Sequence, residues 1–395
     1  MSPWTYAVLG AGRQGTAAAY DLARYGDARR VLLADRDADR AAQAAARVNA
    51  LVGRTVAQPH TVDVTDLDAV QALLAEADAA LSAVPFVYNL ELTRAAVAAG
   101  THWCDMGGHT PTVWQQLALD PQARAAGVSI VPDCGMGPGL INTLGAYIVA
   151  HMDQPRHVRI YDGGLPQHPR PPWNYALTFH INGLTNEYAG TTVLLMDGRL
   201  VEVEGLTQYE RLTIEPVGEL EAFITTGGAS TAPWTFQDRL QTYVNKTLRY
   251  PGHYEWFRAF KQLGLFSEEP LTVNGREVVP RAVYHALLEP QIRARPDEPD
   301  LAVIRVVGEG IHQGRPARWV LDVLDTYDPT TGFRAMERLT GWHCAVMSIF
   351  QARGDVPPGA HPQEIAVPPE AVLDALRARG IAIRETRTFL PTESA

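Results

Sequence analysis

The sequence predicts an α/β chain in two parts. An N-terminal doubly wound parallel sheet comes first, and an α+β region with a mixed, largely antiparallel sheet follows. Two observations carry this. Up to about residue 135, short apolar runs alternate with helix-like stretches, as in a parallel sheet with crossover helices. From His157 the runs lengthen and alternate apolar with polar residues, as in strands with one face on a core. A length of 395 residues is enough for two domains.

Tyr6-Ala7-Val8-Leu9 reads as the first strand, and Thr16 to Arg24 as the first helix. Between them lies Gly10-Ala11-Gly12-Arg13-Gln14-Gly15. Strand, glycine loop and helix in this order are what a dinucleotide site of the Rossmann type requires. The first glycine permits a tight turn, and the second lets the backbone approach a pyrophosphate. The third lets helix and strand pack closely, and the helix N-terminus offers free N–H groups. The next strand, Val31-Leu32-Leu33-Ala34, ends in Asp35. A carboxylate there suits both ribose hydroxyls and repels a 2′-phosphate. Arg36 beside it would pair with that phosphate and blunt the preference. The expected cofactor is NAD, with NADP possible.

A polar helix is predicted from Ala38 to Leu51, a strand near His60 to Val64, and a helix from Leu67 to Glu76. Ala79 to Val84 is a strand ended by Pro85, and Leu90 to Ala99 a helix closed by Gly100. Thr101 to Asp105 and Val128 to Val131 are further strands, and Leu140 to Val149 a helix. Ligands of such sheets sit beyond the carboxyl ends of the strands. That puts Asp63, Ser82, Val84 and Pro85 with the glycine loop as cofactor contacts. The tips Asp105 to His109 and Asp133 to Gly139 become candidates for chemistry, each otherwise a plain turn.

Strands are predicted around Val158 to Tyr161, Leu200 to Val203, Leu220 to Ile224, Leu301 to Val307 and Arg318 to Val323, with few helices. Leu165 to Pro172 and Gly227-Gly228 are candidate cleft loops. A helix from Met336 to Arg353 is expected to return its apolar face to the nucleotide domain. Asp355 to Pro369 reads as a Pro-rich surface loop, and Pro369 to Arg379 as a helix stopped by Gly380. The expected domains are 1–138, 139–335 and a C-terminal segment 336–395 packing on the first.

A net charge of −10 argues against non-specific nucleic-acid binding. No run is long enough to span a membrane, and no signal peptide is visible. Cys104, Cys134 and Cys344 are scattered without ligand spacing, which fits a reducing cytoplasm and no metal site. The expected partners are a small amino-acid substrate and further copies of the chain, as a dimer or larger.

Several segments resemble the saccharopine dehydrogenase (glutamate-forming) family. They are Tyr161 to Pro166, Pro172 to Phe179, Leu220 to Phe223, Thr247 to Gly252 and Phe260 to Leu265. Within that family, Asp105–His109, Gly163–Pro166, Glu221–Gly228 and Lys246–His253 are similar to patterns of the L-lysine 6-dehydrogenases. Saccharopine-cleaving members carry Pro-Asn-Arg-Asp where this chain has Ile224-Thr225-Thr226-Gly227-Gly228. Losing that guanidinium would leave a substrate carboxylate unpaired, at roughly 2–5 kcal/mol. A second departure is Phe86 followed by Tyr88, where relatives have Tyr two positions before Phe.

The resemblance implies NAD-dependent oxidative deamination of the ε-amine of L-lysine. The 6-semialdehyde cyclises to 1-piperideine-6-carboxylate, and ammonia is released. The alternatives are a saccharopine-type or other amino-acid oxidoreductase, and a nucleotide-sensing protein without catalysis. His109, Asp105 and Asp133 are the candidate acids and bases. Arg249 is the candidate for the substrate α-carboxylate, through two parallel hydrogen bonds. Phe86, Tyr88, Tyr175, Thr226, Gly227 and His253 are the other candidate substrate contacts.

Overall fold

The computed structural model describes residues 4–295 and 298–391. The first sheet has seven strands. In spatial order they are Gly359–Ala360, Ser129–Val131, His102–Asp105, Ala79–Ser82, Trp4–Leu9, Ala28–Asp35 and Ala57–Thr61. All pairings are parallel. Its central strands, Trp4–Leu9, Ala79–Ser82 and the second half of Ala28–Asp35, are apolar because both faces are covered, whereas the edge strand Ala57–Thr61 is largely exposed. Tyr6, Val8, Val31, Leu33 and Leu81 point into one core, beneath helices Arg13–Tyr25 and Ala335–Arg353. Ala7, Leu9, Leu32, Ala34 and Trp103 point into another, beneath Leu67–Leu74 and Asn89–Ala99. The strand order reverses at Trp4–Leu9, and the crevice at that switch point lies at the carboxyl ends of the strands.

The second sheet has nine strands. Its main path runs Glu210–Ile214, Gly218–Phe223, Thr242–Arg249, Gln154–Pro166, Asp300–His312, Arg315–Thr326 and Ile383–Phe389. The hairpin Thr191–Met196 and Arg199–Glu204 joins beside Thr242–Arg249. Thr242–Arg249 runs parallel to Gln154–Pro166, and the other pairings are antiparallel. The α/β class with a mixed, largely antiparallel second sheet is therefore the observed one. Helix Leu140–His151, buried from Leu140 to Val149, packs on this sheet. Gly308 admits Ile148, because a Cβ there would stand 2.2 Å from its Cγ2.

Several elements depart from the sequence reading. The third strand is Ala57–Thr61, an edge strand that tolerates Pro59. Helices Thr110–Leu117 and Asp120–Ala126 fill the segment after Gly108. The second part holds more helix than expected: Ile181–Ala189, His253–Gln262 and Pro280–Ile292 pack around Tyr188, Phe257 and Tyr284. The loop after Asp355 contributes an edge strand, Gly359–Ala360, to the first sheet. The C-terminal segment also divides. Helix Ala335–Arg353 packs on Arg13–Tyr25, but Ile383–Phe389 extends the second sheet. Cys104, Cys134 and Cys344 are buried free thiols. No helix among the described residues is long and apolar enough to cross a membrane.

Candidate active site

The three loop glycines have separate physical roles. Gly10 has φ +101°, and a Cβ there would stand 2.8 Å from the Ala83 carbonyl oxygen. A Cβ on Gly15 would stand 1.8 Å from the Gly10 carbonyl oxygen. A Cβ on Gly12 meets nothing within 4 Å. The fold thus needs Gly10 and Gly15, while Gly12 keeps open the space before a helix N-terminus that no side chain caps. Such a terminus fits a pyrophosphate. Arg13 is exposed and donates to the Thr178 carbonyl at 3.5 Å. Gln14 is half-buried, and its carbonyl lies 2.7 Å from where a Cβ on Gly341 would stand.

Asp35 also braces the loop. Its Oδ2 accepts the Ala11 N–H and its Oδ1 the Asp37 N–H, both at 3.0 Å. Arg40 comes within 3.7 Å, and Arg36 is exposed beside it. At the other tips, Asp63 is exposed and accepts from the backbone and hydroxyl of Thr65, which hold its carboxyl below its usual range. Ser82 is buried and donates to Asn89 at 2.8 Å. Val84 packs on Gly10, and Pro85 is exposed. Tyr88, expected at the substrate, packs instead on the apolar core behind the sheet with Val62 and Val64.

Asp105 and Asp133 form a buried carboxylate pair. Asp105 accepts from the Gly107 N–H at 2.8 Å, the Asp133 N–H at 3.3 Å and Gln116 Nε2 at 2.6 Å. Burial pushes its carboxyl up to about 6. Asp133 accepts from the Gly108 N–H at 3.1 Å and from the Ser230 hydroxyl. Burial, and then the neighbouring Asp105 charge, push it up to about 7. These contacts hold the loop that carries His109. His109 itself is exposed, stacks on Phe86 with ring centroids 4.6 Å apart, and bonds Thr112 through Nδ1. Partial burial lowers its pKa, so the ring is neutral near pH 7.

Two adjoining cavities lie between the two parts of the chain. The larger, about 690 Å³, is lined by Phe86, His109, Trp114, Gly227, Trp234 and Arg281 among others. Arg281 is committed to Glu268, Asn186 and the Phe266 carbonyl. The smaller, about 70 Å³, is lined by Gly137, Asp162, Tyr175, Glu187, Asn245 and Arg249 among others. Thr226 lines both and is tied to the carbonyls of Asn186 and Glu187.

Strand alternation builds the smaller cavity. Asn245, Thr247 and Arg249 share one face of Thr242–Arg249, and Asp162 pairs in register with Thr247. Lys246 takes the opposite face and bonds Glu210 at 2.7 Å. Arg249 is 4 % exposed. It donates to Tyr188 at 3.0 Å and to the Leu248 carbonyl at 2.9 Å, and lies over the Tyr175 ring at 5.0 Å. Glu187 approaches it at 3.5 Å. Burial pushes the Glu187 carboxyl up to about 7, against the pull of Arg249. His253, expected at the substrate, is fully buried behind this layer, where it bonds the Tyr188 hydroxyl at 2.9 Å. Burial holds it well below its ordinary pKa, so the ring is neutral, and the hydrogen bond it shares with the Tyr188 hydroxyl steadies the Tyr188–Arg249 contact.

Both parts of the chain that build this site match known family models. Residues 6–131 match the saccharopine dehydrogenase NADP binding domain, and residues 135–381 the saccharopine dehydrogenase C-terminal domain. The chain belongs to the saccharopine dehydrogenase family. Curated relatives include the NADP(+), L-glutamate-forming saccharopine dehydrogenase of Schizosaccharomyces pombe. It is 23% identical over 218 residues, 52% of this chain and 47% of that one. The Saccharomyces cerevisiae protein of the same description is 21% identical over 238 residues, 57% and 52% of the two chains. The chain spans about half the length of the curated relatives it matches. The apo structure of the S. cerevisiae saccharopine dehydrogenase (L-Glu forming) shares the fold. Its TM-score is 0.78 at 18% identity, over 98% of this chain and 100% of that one.

Asp162, Glu187, Asn245 and Thr247 were not singled out from sequence as ligand contacts. The alternation Asn245, Thr247, Arg249 was a usable signal, since three polar residues on one face of a central strand must line a cavity or a polar network. Glu187 gave none, because its helix was not predicted.

Proposed function

We propose that this saccharopine dehydrogenase family member is a nicotinamide-dependent oxidoreductase. It oxidises the ε-carbon of L-lysine to the 6-semialdehyde, with release of ammonia. The observation that carries the reading is the buried Arg249 on the wall of a small cavity, one of whose lining residues, Thr178, accepts a hydrogen bond from Arg13 of the glycine loop. Three of its five N–H groups are engaged by Tyr188, the Leu248 carbonyl and Glu187. One N–H on each terminal nitrogen is left for a carboxylate.

Gly12, Arg13 and Asp35 would hold the dinucleotide, which accepts a hydride when bound. NAD is favoured because the Asp35 carboxylate opposes a 2′-phosphate, while Arg36 and Arg40 keep NADP possible. The substrate must lose a proton, since hydride leaves the carbon beside a neutral amine. For an amine of pKa ~10.4 this costs roughly 4.6 kcal/mol at pH 7. His109, neutral and on the larger cavity, is the candidate to take that proton and to activate the water that attacks the imine. Asp105 and Asp133 hold its loop. One lysine, one oxidised cofactor and one water give the semialdehyde, reduced cofactor, ammonia and a proton.

A saccharopine-type activity is the second reading. The 690 Å³ cavity exceeds what the lysine side chain fills, and the curated relatives carry that description. Against it, 224–228 lacks an arginine, and Arg281 is already paired. The deciding experiment compares lysine, saccharopine, ornithine and diamines with NAD and NADP from neutral to alkaline pH. Lysine-dependent nicotinamide reduction with one ammonia per turnover, faster at alkaline pH, is expected. A higher kcat/KM for glutamate formation from saccharopine would overturn the lysine reading.

A further inference from the structure

We propose that Asp162 binds the α-ammonium group of the substrate, so that the small cavity reads both charges of an α-amino acid. The inference rests on the placement of the carboxylate at Arg249 proposed above. Asp162 is only 8 % exposed. Its Oδ1 accepts from Asn245 Nδ2 at 2.6 Å. No donor among the described residues bonds its Oδ2, which lies 2.8 Å from where a Cβ on Gly137 would stand. The pair is fitted tightly, since a Cβ on Gly228 would stand 1.9 Å from Asn245 Oδ1. Gly137 thus makes room for the carboxylate, and Gly228 for the Asn245 amide that gives it its one protein hydrogen bond.

An ionised carboxylate accepts at about four sites, and burying it half-satisfied is costly. An ammonium group brings three donors and the opposite charge. Glu187, the other carboxyl group on the cavity wall, is held against Arg249 at 3.5 Å, whereas Asp162 has no such ion pair among the described residues. Asp162 is level with Thr247, and Arg249 lies two residues farther along the adjacent strand, roughly 7 Å. A short Asp and a long Arg on such positions can meet two groups carried by one carbon. The cavity, about 70 Å³, suits the head group alone, and the rest of the substrate passes Thr226 into the larger cleft.

The test is direct binding of L-norleucine and hexanoate to the full chain, wild type and Asp162→Asn, by calorimetry. Norleucine has both head-group charges and no ε-amine, while hexanoate has the carboxylate alone. Wild type should prefer norleucine at least about tenfold, and Asp162→Asn should bring the two together by weakening norleucine only. Retained hexanoate binding shows that the variant cavity is intact. An unchanged preference in the variant, equal loss of both ligands, or no binding of norleucine to wild type would overturn the proposal. Lysine oxidation is read separately. Its absence with the norleucine preference intact would sink the proposed reaction and leave the ammonium site standing.

Discussion

The hydroxyl of Ser230 donates to Oδ2 of Asp133, joining the second part of the chain to a strand tip of the first sheet. The same carboxylate holds the Gly108 N–H at 3.1 Å, and the Asp133 N–H points to Asp105. Asp133 has a left-handed backbone, φ +62°. One side chain thus fixes the His109 loop against the Gly227 loop.

This contact has a pH signature. Burial and the Asp105 charge push the Asp133 carboxyl from 3.8 up to about 7. Between about pH 4 and 7 the unfolded chain gives up this proton and the folded chain keeps it. The folded state then binds more protons, so stability falls as pH rises through that window. Asp133→Asn removes the ionisation, and the Ser230 hydroxyl can reverse its hydrogen bond. The Tm of the variant minus that of wild type should therefore climb from about pH 4 to about pH 7. Parallel Tm profiles would mean that the proton is not held at Asp133.

Gly12 and Gly15 should separate cofactor binding from folding. Gly15→Ala forces a methyl to within 1.8 Å of the Gly10 carbonyl and should lower Tm sharply. Gly12→Ala meets open space at φ −72°, so Tm should stay close to wild type. Its methyl would instead occupy the approach to the helix N-terminus and weaken dinucleotide binding. Unchanged binding by Gly12→Ala, followed by calorimetry, would place the dinucleotide elsewhere.

The central strands of the first sheet were legible because both their faces are buried, so apolar runs and Asp tips mark them, while the exposed edge strand Ala57–Thr61 carries no such run and was placed too late in the chain. Gly359–Ala360 escaped because two residues carry no periodicity and only backbone pairing makes them a strand. Helix Ile181–Ala189 escaped because its first turn, Ile181-Asn182-Gly183, mixes weak helix formers. Glu187 went with it. Arg249 was legible through its surrounding motif, but Asp162 was not, since its meaning depends on a register between strands more than eighty residues apart.

The proposed preference for NAD rests on Asp35, with Arg36 and Arg40 beside it. Asp35→Ala should relax the preference for NAD, and it should also weaken both cofactors by releasing the Ala11 N–H. Arg36→Ala with Arg40→Ala should lower kcat/KM for NADP alone, since these two side chains supply the cations near Asp35. The comparison is kcat/KM with each cofactor. Equal use of NAD and NADP by the wild type would sink the NAD assignment whatever the variants do.

Arg249 offers the sharpest test of the substrate end. Arg249→Ala should cost roughly 2–5 kcal/mol in kcat/KM for lysine, because the substrate carboxylate loses its partner and Glu187 remains. Arg249→Lys should recover only part, since an ammonium cannot present a planar pair of donors. Dinucleotide affinity should change little, because Arg249 lies on the second sheet and the glycine loop on the first. A diamine lacking the α-carboxylate should lose far less than lysine in Arg249→Ala. Since Arg249 also ties Tyr188 to the Leu248 carbonyl, Tm is measured alongside. Equal losses for lysine and the diamine would assign Arg249 to the shape of the cavity and send the search for the carboxylate site elsewhere.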